Sequence, residues 1–83
     1  MAIVPMRWKD DRLSMLDQRV LPLTEDWIDL FGSADVAQAI TDMVVRGAPA
    51  IGVAAAFGMA LSALREEDRK EAHQRLWSSR PTA

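Results

Sequence analysis

The side chains best suited to chemistry stand together in Arg46-Gly47-Ala48-Pro49, ahead of a run that carries no charge until Arg65. Proline is tolerated in the first turn of a helix, where its missing N–H costs nothing, so this stretch predicts a helix over 49–64. The first N–H groups of a helix lack intrahelical partners, and the helix dipole favours an anion there. Those of Ala48, Ala50 and Ile51 are expected to point outward. Gly47 lets a ligand approach the backbone closely, and Arg46 adds a planar fork that matches phosphate oxygens. The pattern suits a phosphate. It also suits a plain helix boundary, in which Arg46 neutralises the last carbonyls of one helix and Gly47 ends it. Arg80, in Ser79-Arg80-Pro81, reads as a surface charge.

Other chemistries find less support. Gly47 and Gly52 have the spacing of the two P-loop glycines, but Val53-Ala54 stands where Lys-Ser/Thr is required. No G-x-G occurs, so there is no dinucleotide fingerprint. The absence of cysteine excludes a thiol nucleophile, a disulfide framework and a cysteine metal site. One histidine, His73, cannot make a histidine-pair zinc motif, and on a polar helix it is expected to be solvated. Asp10/Asp11 and Glu66/Glu67/Asp68 read as exposed turn carboxylates, not an acid/base pair held apart in a cleft. Trp8, Trp27 and Trp77 read as core or interface fillers.

The elements that position Arg46 can be read in order. "PMRW", the charged turn "KDDR", "LSMLDQRVLP" with a bend at Asp17–Arg19, and "DWIDLF" predict short antiparallel strands over residues 1–32. In the last of these, Trp27 and Asp29 share one face and Ile28 and Leu30 the other. From Ser33, a plausible N-cap, Val36, Ile40, Met43 and Val44 recur at helical spacing, predicting a helix that ends around Arg46 and Gly47. The helix over 49–64 is apolar on every face and is expected to be buried all round. A transmembrane span is the minor alternative, at the short limit for length. A third, charged helix is predicted over 68–77, with Ala72 and Leu76 inward. The fold class is thus α+β and predominantly α, with residues 1–32 a small β segment and 33–83 a three-helix bundle.

The chain's 83 residues suit one small domain. Ten Lys and Arg against twelve Asp and Glu give no basic stripe for nucleic acid. The chain opens on Met1 with no signal-peptide pattern, which predicts a cytoplasmic protein. Two other helices and a small sheet can hardly surround the apolar helix, so further chain or a second copy is expected against it.

"MVVRGAPAIGVAAAFGMALSAL" (Met43–Leu64), "VPMRWKDDRLSMLDQRVLP" (Val4–Pro22) and "SSRPTA" (Ser78–Ala83) closely resemble the N-terminal domain of the methylthioribose-1-phosphate isomerase family. The resemblance covers nearly the whole chain. It implies an aldose–ketose isomerase of methionine salvage that converts 5-methylthioribose 1-phosphate to 5-methylthioribulose 1-phosphate without metal or organic cofactor. It implies that Arg46, Gly47, Ala48 and Arg80 contact the sugar phosphate. It also implies a homodimer and a C-terminal Rossmann-like domain bearing the catalytic cysteine and aspartate. No catalytic residue is then expected in these 83 residues, and the chain alone is expected to be inactive. The wider superfamily leaves two alternatives: a ribose-1,5-bisphosphate isomerase, or a non-catalytic assembly module like the regulatory subunits of the exchange factor for translation initiation factor two.

Overall fold

The computed structural model describes residues 6–20, 23–45 and 47–79. Its chain begins with a tight hairpin. Asp10 and Asp11 both take positive φ, 53° and 58°, and join β1 (Met6–Lys9) to β2 (Arg12–Leu16). Two left-handed residues between paired Lys9 and Arg12 form the primed turn whose twist matches the flanking strands. Aspartate tolerates that conformation better than most residues. β3 (Trp27–Leu30) pairs with the other edge of β2, giving one antiparallel sheet in the order β1-β2-β3. Met6, Leu13, Met15 and Leu30 turn inward to the core, and the expected division of Trp27/Asp29 from Ile28/Leu30 holds.

Three helices follow: α1 (Ser33–Thr41), α2 (Ala48–Leu64) and α3 (Arg69–Ser79). The predicted architecture of antiparallel strands and then three helices is the observed one. Two boundaries of α1 differ from expectation. Its N-cap is Gly32, with no side-chain cap. Ser33 is instead fully buried, donating its hydroxyl to Glu67 and accepting from Arg75 Nη1 at 2.6 Å. Glu67 also accepts the Ser33 N–H at 3.2 Å, so a residue from the α2–α3 turn caps α1. Glu67 is therefore half-buried in a network and is not the free turn carboxylate its sequence neighbours suggest.

At its other end α1 stops at Thr41, well before Arg46. Met43 takes a left-handed φ of 61°. Val44 N–H then reaches Ala39 O at 2.9 Å and Met43 N–H reaches Ile40 O at 3.1 Å, the paired bonds of a Schellman ending. The same ending recurs after α2. Glu66 has φ 56°, and Glu67 N–H bonds Ser62 O at 2.9 Å. The Asp68 carboxylate accepts the Glu71 N–H at 2.9 Å and starts α3.

α2 is not buried all round. Ile51, Ala54, Gly58, Leu61 and Ser62 form its inner face, while Val53 and Leu64 are 48% and 46% exposed. With only the sheet, α1 and α3 to pack against, one face stays open. Nor does any tryptophan join the buried core. Trp8 stacks on Phe57 with centroids 5.7 Å apart, Arg7 lies 3.9 Å over Trp27, and Trp77 stacks beside His73 on α3. Ala72 and Leu76 face inward as expected.

The two glycines inside α2 differ. A Cβ at Gly58 would lie 2.8 Å from Leu76 Cδ2 and 3.2 Å from Val36 Cγ1, so this position is where all three helices meet. A Cβ at Gly52 meets nothing within 4 Å. Gly58→Val is therefore expected to lower stability by about 1–3 kcal/mol through overpacking. Gly52→Ala is expected to raise it by about 0.5–1 kcal/mol through helix propensity. Urea denaturation of both variants checks the opposite signs.

Candidate functional site

The connection from α1 to α2 is pinned before it reaches the candidate residues. Val44 and Val45 are both buried, at 3% and 1% exposure. Gly47 follows as the N-cap of α2 with φ 92° and ψ 130°, a conformation that L side chains rarely adopt. Gly47 is thus not the terminator of α1. Its role is at the start of α2, where the chain must swing into the helix.

The N-terminus of α2 carries no side-chain cap. Pro49 has no N–H, and Ile51 N–H is already engaged with Gly47 O at 2.9 Å. This corrects the expectation that the Ile51 amide is free. The N–H groups of Gly47, Ala48 and Ala50 precede the first intrahelical bond. Gly47 and Ala48 are both exposed, so this end of the dipole meets solvent.

A cleft of about 330 Å³ opens beside it, lined by Ile40, Thr41, Met43, Val45, Gly47, Ile51 and Ser79. Arg46 and Arg80 themselves lie outside the described residues. Their chain neighbours, however, share this cleft: Val45 and Gly47 flank Arg46 in the sequence, and Ser79 precedes Arg80. The fold thus gathers the described parts of two motifs separated in the chain by α2, the turn after it and the length of α3. The walls are mostly apolar, with Thr41 and Ser79 as the polar side chains among the lining residues.

Curated relatives match this chain along nearly its whole length. The methylthioribose-1-phosphate isomerase of Marinobacter nauticus is 55% identical over 86 aligned residues, covering 96% of this chain and 24% of the relative. That of Thermus thermophilus is 52% identical, covering 98% of this chain and 25% of the relative. The chain is a relative of methylthioribose-1-phosphate isomerases. It spans about a quarter of their length. The backbone agrees: the 5-methylthioribose 1-phosphate isomerase of Pyrococcus horikoshii superposes with a TM-score of 0.86 at 36% identity, over 94% of this chain and 24% of that one. The delta subunit of translation initiation factor eIF-2B from A. fulgidus superposes with a TM-score of 0.83 at 34% identity, over 98% of this chain and 26% of that one. No family model matches.

Among the described residues no group of three or more His, Cys, Asp or Glu is placed to hold a metal ion. No helix among them is long and apolar enough to cross a membrane, which removes the support for the transmembrane alternative. His73 is exposed and does not line the cleft.

The sequence marks Asp17–Arg19 only as a bend. It is a tight ionic turn. Asp17 is 5% exposed, and its Oδ1 accepts the Arg19 N–H at 2.9 Å. Arg19 Nε and Nη2 donate to the two carboxylate oxygens at 3.0 and 2.9 Å. The local signal was an aspartate two residues before a backbone donor, the Asx-turn pattern. The Arg19 side-chain hydrogen bond holds the Asp17 carboxyl below its ordinary value of 3.8, against the opposing effect of burial. A carboxylate lowered in the folded state stabilises the fold at pH above the unfolded value, and that contribution disappears as pH falls through the folded one. Wild-type protein is therefore expected to lose stability on acidification below the ordinary aspartate range more steeply than Asp17→Asn. Denaturation midpoints across that acid range measure the difference, and parallel curves would refute it.

Proposed function

We propose that this chain is the substrate-phosphate-binding part of an aldose–ketose isomerase acting on 5-methylthioribose 1-phosphate. The observation that carries the reading is the shared cleft: Gly47, from Arg-Gly-Ala-Pro, and Ser79, from Ser-Arg-Pro, line one space beside the uncapped start of α2. Relatives named for that isomerase, matched over almost all of this chain, support the substrate.

On this reading the N–H groups of Gly47 and Ala48 and the side chains of Arg46 and Arg80 hold the phosphate. Arginine forks give charge-assisted, bidentate bonds to phosphate oxygens. Binding energy at the phosphate holds the sugar while hydrogen moves between C1 and C2. The groups that move it lie outside these 83 residues, in a Rossmann-like domain, and the 83-residue chain alone is inactive. The open face of α2, with Val53 and Leu64 exposed, supports cover by that domain or by a second copy in a cytoplasmic homodimer.

A second reading, a non-catalytic helical assembly module, draws support from the likeness to the delta subunit of translation initiation factor eIF-2B. Kinetics separate the two. In the full-length protein, Arg46→Ala and Arg80→Ala are each expected to lower kcat/KM by about 10- to 100-fold, the loss of one charge-assisted contact of roughly 1.5–3 kcal/mol. Unaltered kinetics with lowered stability would make Arg46 only a helix-boundary charge. A wild-type protein with no isomerase activity would favour the assembly module.

A further inference from the structure

The Asp17 turn does more than close on itself. Its successive N–H groups reach two different parts of the molecule. Asp17 N–H donates to Asp26 O at 2.8 Å, at the entry to β3, and Gln18 N–H donates to Val44 O at 2.9 Å. Val44 is also held from the other side, where its own N–H bonds Ala39 O at 2.9 Å. Val44 is thus held through both its own N–H and its own C=O, one in each of the two peptides that flank its Cα. Gly47 stands three residues further along the chain. Within the turn, Asp17 is buried and spends three acceptor contacts on Arg19, so that Gln18 N–H is aimed at Val44.

We infer that Asp17 is a positioning residue for Gly47 and the start of α2, acting through Gln18 N–H and the Val44 carbonyl. The inference rests on the phosphate reading above. A carboxylate that only stabilised the hairpin could end at the Arg19 fork. Here the turn is joined by a direct backbone bond to the segment that leads into the candidate site. Small displacements of binding groups have large kinetic effects.

The test uses the full-length protein with 5-methylthioribose 1-phosphate, assayed well below the Tm of every variant. Asp17→Ala removes all three contacts to Arg19 and is expected to lower kcat/KM about tenfold. Asp17→Asn keeps Oδ1 for the Arg19 N–H and is expected to recover most of that loss. A lowered Tm with wild-type kcat/KM in Asp17→Ala overturns the inference. If Asp17 acts through the loop, combining Asp17→Ala with Arg46→Ala costs less than the product of the single effects; independent multiplication overturns it. Should Asp17→Ala fail to fold, wild-type protein decides: saturating sugar phosphate is expected to slow exchange of the Gln18 amide, and unchanged exchange overturns the inference. Arg46→Ala with unaltered kinetics removes the phosphate reading and this inference together. An impaired Arg46→Ala beside an unaffected Asp17→Ala removes this inference alone.

Discussion

The connection between α1 and α2 has to bury two consecutive valines and still deliver a glycine to the start of the next helix. Val44 and Val45 are both almost completely enclosed. In a continuing helix they would point about 100° apart, and one would leave the core. The chain breaks the helix instead, using Met43 in a left-handed conformation. That conformation costs an ordinary residue roughly 1–2 kcal/mol. Fully burying a valine yields roughly 1.5–3 kcal/mol, enough to offset that strain. Everything downstream inherits this choice. The loop leaves the core at a fixed point, Gly47 turns it with φ 92°, and α2 starts with its amides uncapped beside the cleft.

That break explains which parts of the molecule were legible in the sequence. The Asp10-Asp11 turn was readable because charged residues separate two short apolar patterns, and the pairing of Lys9 with Arg12 follows from it. Pro49 marked the start of α2, and Ala72 and Leu76 marked the inner face of α3. The end of α1 was not readable. No glycine or proline stands at Met43, and the helical spacing of Val36, Ile40, Met43 and Val44 runs straight through the break. Ser33 misled for a different reason. Its type is that of a cap, yet its partners are Glu67 and Arg75, more than thirty residues away, and a local pattern holds no information about them. At the candidate site, residue types singled out Gly47 and Ala48. The approach of Gly47 to Ser79 is a tertiary fact that only the family resemblance anticipated.

A chain of this size buries a limited share of its surface, and polar fasteners join its layers. Arg65, at the C-cap of α2, donates from Nε to Phe31 O at 2.8 Å and from Nη2 to Asp11 O at 2.7 Å. One side chain thereby holds the end of β3 and the β1–β2 turn against the helices. Arg75 and Glu67 do the same for α1, the α2–α3 turn and α3 through Ser33. Arg65 and Arg75 are exposed, so their ionic contributions are screened. Their value lies in geometry: each carbonyl or hydroxyl they meet belongs to a different element, which fixes the sheet and bundle in one arrangement.

The packing at Gly58 connects this scaffold to the site. Leu76 lies against Gly58 near the middle of α2, while Ser79, one turn later on α3, reaches the cleft at Gly47 and Ile51. α3 therefore runs antiparallel to α2, toward its N-terminus. How closely the two helices approach at Gly58 sets where the end of α3 arrives. A side chain there would have to displace the Leu76 methyls and Val36 Cγ1. The small residues of α2 thus have two separate consequences. On the inner face they allow the close crossing that brings two distant motifs together. On the outer face, at Ala56 and Ala60, they leave a shallow, uncharged surface that the other elements do not cover.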